Sequence, residues 1–268
     1  MGVAGIQRSQ YDVGHAILST ELISMMRTND KNFRTWLEQN RLYRRLYVLR
    51  KLYLSRTRAR HYAQFAEDVS IERLVRHIDN GFFVDVGCFH PSKHNNTYAL
   101  YRKGWRGINI DIDSIKIDAF NILRPKDINI ACAVGESDGV VEFYSRGLFA
   151  LTTTMDENFA KSKGHYTKQI VACRRLSTII DESKYSNQQI DFLSIDAEGF
   201  DFQVLKSLDL ARYRPKLIAV ESHLRVFAQI AKSDLFRYLS EHGYDLVGWV
   251  GLTLLLASAE LQRDLKPA

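Results

Sequence analysis

The fold of this chain is decided by the sequence FFVDVG at residues 82–87, together with GINID at residues 107–111. Both runs are apolar and β-prone, which is typical of buried strands, and the first ends in an Asp-x-Gly turn. A polar loop and a helix-like stretch, Thr97 to Lys103, lie between them. This order of strand, turn, helix and strand predicts a doubly wound α/β fold.

The ends of these two strands suit a cofactor that contains a ribose. Gly87 lets a ligand approach the backbone closely, and Asp111 can hold the two hydroxyls of a ribose. The turn that follows Gly87, Cys-Phe-His-Pro at residues 88–91, contains no further glycine. Because a pyrophosphate needs a glycine-rich turn, this turn disfavours a dinucleotide and favours S-adenosylmethionine. The structural alternative is an acid that only caps the next helix.

Length and composition limit the class of protein. The chain has 268 residues, of which 46% are hydrophobic, enough for one large α/β domain with appendages. Its three cysteines lie far apart without a C-x-x-C pair, so we expect neither disulfides nor a zinc site. We see no signal peptide and no apolar stretch long enough to span a bilayer. A cytoplasmic protein is therefore expected, with the inner face of the membrane as an alternative place.

A basic segment precedes the predicted domain. We expect residues 1–60 to form a helical extension and residues 61–268 to form the α/β domain. Residues 41–60 carry eight basic residues and no acid. Apolar residues repeat there at helical spacing: Leu42, Leu46, Leu49 and Tyr53. A basic amphipathic helix of this kind binds anionic membrane surfaces or polyanions, and the alternative is a helix packed on the domain with a solvated basic face.

The remaining elements complete an alternating α/β pattern. Helices are predicted over residues 62–77, 115–123, 202–208 and 227–241. Strands are predicted over residues 128–134, 140–144, 169–173, 190–196, 217–221, 244–250 and 252–257. We interpret residues 136–175 as an insertion over the cofactor end of the sheet, where loops commonly form lids and substrate walls.

Acids and a histidine follow two of these strands. Asp196, Glu198 and Asp201 follow the strand at 190–196, and Glu221 and His223 end the strand at 217–221. Ligands of open parallel sheets bind at this edge. Asp196, Glu198 and His223 are candidate catalytic residues, because methyl transfer to a hydroxyl needs a group that takes the proton. Asp196 with Glu198 or Glu221 is a candidate Mg²⁺ site. For Asp201 we favour a structural role as a first-turn acid.

These residues belong to longer motifs, which in chain order are YAQFAED, FVDVG, NNTYALYRKGWRGINID, ACAVG, LSIDAEGFDFQVLKSLD and YRPKLIAVE. The motifs cover roughly residues 62–225, and together they resemble the FkbM family of S-adenosylmethionine-dependent methyltransferases. One departure stands out. Many members have Ala-Asn-x-Gly after the Asp-x-Gly, whereas this chain resembles a subgroup with His-Pro in that turn.

The resemblance implies a class I methyltransferase fold, a Rossmann-like seven-stranded and mostly parallel sheet with helices on both faces. It also implies a cofactor site, in which Asp85 and Gly87 line the cofactor, Asp111 binds its ribose and Ala133 lies near the adenine. Three further residues would complete that pocket: Gln64, Glu67 and Thr97.

The resemblance implies O-methylation of a sugar hydroxyl in a glycan, a glycolipid or a glycosylated metabolite. Two other classes stay open. An NAD-type oxidoreductase is disfavoured by the glycine-poor turn, and a non-catalytic, membrane-tethered binding protein is disfavoured by the acids Asp111, Asp196 and Glu198. Nucleic-acid methylation is disfavoured because the chain has neither an Asn-Pro-Pro-Tyr motif nor a basic sheet interleaved with aromatic residues.

Overall fold

The computed structural model describes residues 61–145, 153–154, 158, 161–162 and 166–265, together with Asn40 and Leu42. Residues 60–268 form one compact unit, and residues 1–59 form another. Apart from Asn40 and Leu42, the predicted helical extension and its basic helix lie outside the described residues.

The described strands belong to two sheets. In chain order they are β1 (Phe82–Val86), β2 (Arg106–Asp111), β3 (Ile128–Ala131), β4 (Ala133–Val134), β5 (Gly139–Ser145), β6 (Thr153–Thr154), β7 (Thr167–Arg174), β8 (Phe192–Ile195), β9 (Leu217–Glu221), β10 (Tyr244–Val250) and β11 (Thr253–Ser258). The larger, seven-stranded sheet has the order β10-β11-β9-β8-β1-β2-β3, and the smaller has the order β4-β7-β5-β6. In the larger sheet β11 runs antiparallel to the other six strands, which share one direction. The predicted seven-stranded, mostly parallel sheet is confirmed.

Helices cover both faces of the larger sheet. They are α1 (Glu67–Leu74), α2 (Tyr98–Arg102), α3 (Ser114–Leu123), α4 (Leu176–Asp181), α5 (Asp201–Lys206), α6 (Leu210–Tyr213), α7 (Phe227–Ile230), α8 (Asp234–Glu241) and α9 (Ala259–Leu265). Phe82 and Val84 of β1 pack in one cluster with α4–α8, whereas Phe83 packs in another with α1, α2 and α9. Because both faces are covered, every residue of β1 is buried.

The strand order places a crevice at the carboxyl ends of β1 and β8. From β1 the chain adds β2 and β3 on one side, and from β8 it adds β9 on the other side. This reversal is the topological switch point, where open α/β sheets bind their ligands. The candidate residues after β1, β2, β8 and β9 therefore converge on one region.

The predicted single strand over residues 128–134 is wrong. The chain leaves the larger sheet after Ala131, and the Cys132 amide donates to the Asp111 carbonyl at 3.0 Å. Ala133 and Val134 then pair with β7 in the smaller sheet. β3 is an edge strand whose neighbour β2 ends at Asp111, opposite Ala131, so the residues after Ala131 have no partner strand in the larger sheet.

Two predicted helices are shorter than expected. The helix predicted over 62–77 begins only at Glu67, because the Asp68 and Glu67 carboxylates accept from the Tyr62 and Phe65 amides and hold that segment as a loop. The helix predicted over 227–241 is divided into α7 and α8. Ser233 caps α8 by accepting from the Phe236 amide, which starts a new helix there.

The described parts of the predicted insertion over 136–175 include β5, β6 and β7 of the smaller sheet. All three cysteines are free and buried. Among the described residues, none of the helices has the length and apolar character needed to cross a bilayer.

Candidate active site

A cavity of about 350 Å³ opens at the switch point. Four of the predicted cofactor residues line it: Gln64, Gly87, Asp111 and Ala133. The three predicted catalytic residues, Asp196, Glu198 and His223, line the same cavity, and so does Glu221. None of the described residues of the 136–175 segment lies in its wall, so the predicted lid role stays a prediction.

Gly87 lies at the closest approach of two strand ends. Its φ is +76°, and a Cβ at this position would lie 1.7 Å from the carbonyl oxygen of Asp196. The Gly87 amide donates to the Ile110 carbonyl at 2.8 Å, and the Asp196 amide donates to the Val86 carbonyl at 3.0 Å. The ends of β1, β2 and β8 are thus tied together around a position that only glycine fits. A ligand can approach bare backbone here.

Asp111 ends β2 with its carboxylate in the cavity wall. The carboxylate accepts from the Phe89 amide at 3.0 Å and from the Asp113 amide at 2.9 Å, and Lys116 Nζ lies 3.5 Å away. Burial raises the pKa of Asp111, while Lys116 and the two amides act in the opposite direction. These donors favour the charged carboxylate, whose unused lone pairs can accept hydroxyl donors.

The sequence did not identify Lys116 as a cavity residue. Its side chain is only 4% exposed, and its ammonium group lies 5.1 Å from the centre of the Phe89 ring. A single lysine in a predicted helix normally points into solvent, so its position gave no signal. Phe89 and His94, from the turn after β1, also line the cavity, as do Phe200 and Leu252.

Three predicted cofactor residues lie outside the cavity wall: Glu67, Asp85 and Thr97. Asp85 is buried and accepts from Asn95 Nδ2 at 3.0 Å and from Thr97 Oγ1 at 2.8 Å. Glu67 accepts from the Phe65 amide at 2.8 Å. These side chains hold the segments beside the cavity, and their direct contact with a cofactor stays a prediction.

The acidic side chains and His223 form a cluster at the ends of β8 and β9. Ligand atoms of Glu198, Glu221 and His223 all lie within 4.8 Å of one another. His223 Nδ1 lies 3.8 Å from Glu221 Oε2, which is longer than a hydrogen bond and within the range of an ion pair when the imidazole is protonated. The structure thus brings the predicted catalytic residues together, while their catalytic role stays a prediction.

Burial and mutual repulsion raise the pKa values of the acids in this cluster. The Asp196 side chain is exposed to the cavity, but the surrounding protein displaces most of the bulk water. This desolvation and the like charge of Glu221 hold the pKa of Asp196 well above its usual range. Burial and Glu221 also raise the pKa of Glu198, and His223 opposes that shift. Such carboxyl groups hold a proton more tightly than free carboxyl groups do, and together they can also hold a cation.

Asp201 has the structural role that the sequence favoured. It is buried in the first turn of α5, and its carboxylate accepts from the Ala197 amide at 2.8 Å and from the Gly199 amide at 3.1 Å. Between those two residues, Glu198 adopts a left-handed conformation with φ of 49°. Asp201 therefore fixes the loop that presents Glu198 to the cavity.

The family comparison concerns the chain as a whole. A family described as the Methyltransferase FkbM domain matches residues 85–246. This chain belongs to the FkbM methyltransferase family. The matched residues run from β1 into β10, so the FkbM domain contains both the Gly87 turn and the acidic cluster.

One solved structure similar to this FkbM methyltransferase is a TehB-like SAM-dependent methyltransferase from Corynebacterium glutamicum. The two chains are 15% identical, and the match covers 81% of this chain and 97% of that chain with a TM-score of 0.37. No curated protein matches the chain.

Membership of the FkbM family implies S-adenosylmethionine as the cofactor. The residues present fit that molecule. The bare backbone at Gly87 admits a close ligand, Asp111 offers acceptors for a ribose, and the turn after Gly87 lacks the glycines that a pyrophosphate needs. Ala133 adds a small apolar side chain to the same wall.

The raised pKa of Asp196 makes a testable difference to the stability of this methyltransferase. Because native Asp196 holds its proton more tightly than an unfolded aspartate with a pKa of 3.8, its contribution to folding is full at low pH. That contribution is lost as the pH rises through the native pKa. We therefore expect Asp196→Asn to raise the Tm at about pH 8, with the difference shrinking towards about pH 4. Thermal unfolding across this range checks the sign, and a difference independent of pH would contradict it.

Proposed function

We propose that this FkbM methyltransferase transfers a methyl group to a hydroxyl of a sugar in a glycan, a glycolipid or a glycosylated metabolite. The observation that carries the proposal is the cluster of Asp196, Glu198, Glu221 and His223 in the same cavity as Asp111. Several carboxylates in one wall can accept hydrogen bonds from neighbouring sugar hydroxyls and hold one of them in line for transfer.

In this proposal, few groups of the cavity bind S-adenosylmethionine. Asp111 would accept hydrogen bonds from the ribose hydroxyls, Gly87 would leave room beside its backbone, and Ala133 would offer its small side chain to the adenine. Bound S-adenosylmethionine supplies the methyl group and a sulfonium whose positive charge disappears during transfer. Because tight binding of that charge would favour the ground state, the acids contribute by positioning the acceptor and removing its proton.

His223 is the proposed proton acceptor. A neutral imidazole takes the proton of the acceptor hydroxyl, and the Glu221 carboxylate, 3.8 Å from Nδ1, stabilises the imidazolium that forms. Asp196 and Glu198 hold the acceptor hydroxyls in this arrangement.

A second route to an activated acceptor hydroxyl uses a divalent cation instead of a direct base. Mg²⁺ held by Asp196 with Glu198 or Glu221 would bind two neighbouring sugar hydroxyls and acidify one of them. Support for this route is limited to Glu198 and Glu221, whose carboxylate oxygens lie within 4.8 Å of each other and of His223, while Asp196 lines the same cavity.

Asp111→Ala tests the cofactor half of the proposal. We expect its S-adenosylmethionine affinity to fall by about 1–3 kcal/mol, roughly 5- to 150-fold, because hydrogen bonds to a charged acceptor are lost. Calorimetric titration measures this change. Asp118→Ala is the matched control, since Asp118 is exposed on α3 and does not line the cavity. Unchanged affinity in a folded Asp111→Ala variant would show that another group binds the ribose.

A further inference from the structure

Arg124 is a fully buried cation at the end of α3 and does not line the cavity. Its guanidinium donates from Nε to the Pro91 carbonyl at 2.8 Å, from Nη1 to Thr97 Oγ1 at 2.9 Å and from Nη2 to Asn95 Oδ1 at 2.7 Å. All three acceptors belong to the loop that follows β1. One side chain thus holds this loop by hydrogen bonds at three residues.

Asn95 carries the same network to the start of the loop. Its Nδ2 donates to the Cys88 carbonyl at 3.0 Å and to Asp85 Oδ2 at 3.0 Å. Asp85 also accepts from Thr97 Oγ1 at 2.8 Å. The carbonyls of Cys88 and Pro91 are therefore both fixed, one through Asn95 and the other by Arg124 directly.

The loop that Arg124 holds contains two residues in an unfavourable backbone conformation. Phe89 has φ of 53° and His94 has φ of 47°, and both side chains line the cavity. Non-glycine residues keep such angles only where the surrounding structure over-determines them. The hydrogen bonds to Cys88 and Pro91 fix the backbone on both sides of Phe89. The hydrogen bond to Asn95 fixes the residue that follows His94.

The charge of Arg124 is itself compensated inside the protein. Rings of Tyr98, Tyr101 and Phe120 lie 5.0–5.3 Å from the guanidinium carbon. Burial lowers the pKa of Arg124, and the negative charges of Asp85 and Asp127 oppose that shift. A lysine would keep the charge, but it has no planar fork that reaches three acceptors at once.

We propose that Arg124 is a positioning residue that presets the loop at residues 88–96 for the cofactor. A glycine-rich turn binds a ligand through its exposed backbone. This chain has a bulky turn at the same place, and Arg124 fixes its shape by hydrogen bonds to Pro91, Asn95 and Thr97 on the side away from the cavity wall. The inference rests on the proposed function, because it takes the cavity beside this loop as the S-adenosylmethionine site.

Arg124→Lys tests the inference with two readouts. If the loop then adopts the binding conformation only about a tenth of the time, the Kd and KM for S-adenosylmethionine rise about tenfold, while kcat at saturating cofactor is nearly unchanged. Hydrogen exchange of the cofactor-free protein should show faster exchange confined to residues 88–96. A folded variant with parental Kd and parental exchange would overturn the proposal.

Lys216→Met is the matched control. Lys216 Nζ lies 3.0 Å from Asp191, whose other oxygen accepts from the Phe82 amide at the opposite end of β1. This variant should lose Tm without changing the Kd or the exchange of residues 88–96. An equal rise in its Kd would assign the Arg124 effect to general destabilisation and overturn the proposal.

If Arg124→Lys does not fold, Asn95→Ala tests whether this network positions the loop at residues 88–96. It removes the link to Cys88 and should reproduce the faster loop exchange and the weaker binding, whereas parental values would overturn the proposal. Failure of the parent to bind S-adenosylmethionine would contradict the proposed function instead. The exchange measurement on the cofactor-free protein still judges the role of Arg124 in that case.

Discussion

Replacing His223 with Ala is expected to lower turnover by about 10²–10⁴-fold, the usual contribution of a positioned proton acceptor. Replacing Asp196 with Asn is expected to lower turnover by about 10²-fold, because the acceptor hydroxyl is misplaced. His223 takes the proton in the proposed mechanism, and Asp196 holds the acceptor hydroxyl beside it. Neither residue is assigned to the cofactor half of the cavity, so S-adenosylmethionine binding should be retained in both variants. Loss of turnover with retained cofactor binding is the signature of a role in the transfer step.

The measurement is the incorporation of labelled methyl groups from S-adenosylmethionine into an extract of cell glycans and glycolipids. His77→Ala is a suitable control, because His77 pairs with Asp264 at 3.6 Å and does not line the cavity. Full activity in both site variants would remove His223 and Asp196 from the mechanism. Activity that is abolished by EDTA and restored by Mg²⁺ would replace the direct base with the metal route.

Gly87→Ala is expected to abolish cofactor binding and to destabilise the fold by on the order of 2–4 kcal/mol. The new methyl group would lie 1.7 Å from the Asp196 carbonyl oxygen, and the φ of +76° is unfavourable for any side chain. The ends of β1 and β8 would have to separate, which moves the Gly87 backbone and Asp196 together.

Urea unfolding and calorimetric titration with S-adenosylmethionine measure the two effects. Gly139→Ala is the matched control, since an added Cβ there meets nothing within 4 Å. We expect that control to keep both stability and binding. A Gly87→Ala variant with parental stability and affinity would mean that the strand ends can part without cost.

Much of the fold follows from simple patterns in the sequence. The apolar runs at 82–86 and 217–221 are buried strands because helices cover both faces of the sheet. Parallel strands carry the residues that follow them to a common edge, so the meeting of Glu198 with Glu221 and His223 could be anticipated. The break at Cys132 could not, because it depends on β3 being an edge strand, which is a property of the whole sheet.

The candidate site was harder to predict than the fold. Asp85 and Asp111 both belong to buried strands, yet Asp111 lines the cavity while Asp85 binds Asn95 and Thr97 beside it. Their sequence contexts do not separate these two outcomes. The burial of Lys116 could not be predicted for a similar reason, since its partner Asp111 belongs to a different element. Residue type and spacing reveal which groups reach the edge of the sheet, whereas their orientation depends on tertiary packing.

Calorimetric titration of the purified 268-residue chain with S-adenosylmethionine, its demethylated product and NAD tests the assignment of the cofactor. The site combines an acid-terminated β2 with a turn that lacks the glycines a pyrophosphate requires. We predict that S-adenosylmethionine and its demethylated product bind and that NAD does not. Tight binding of NAD with no signal from S-adenosylmethionine would contradict the account.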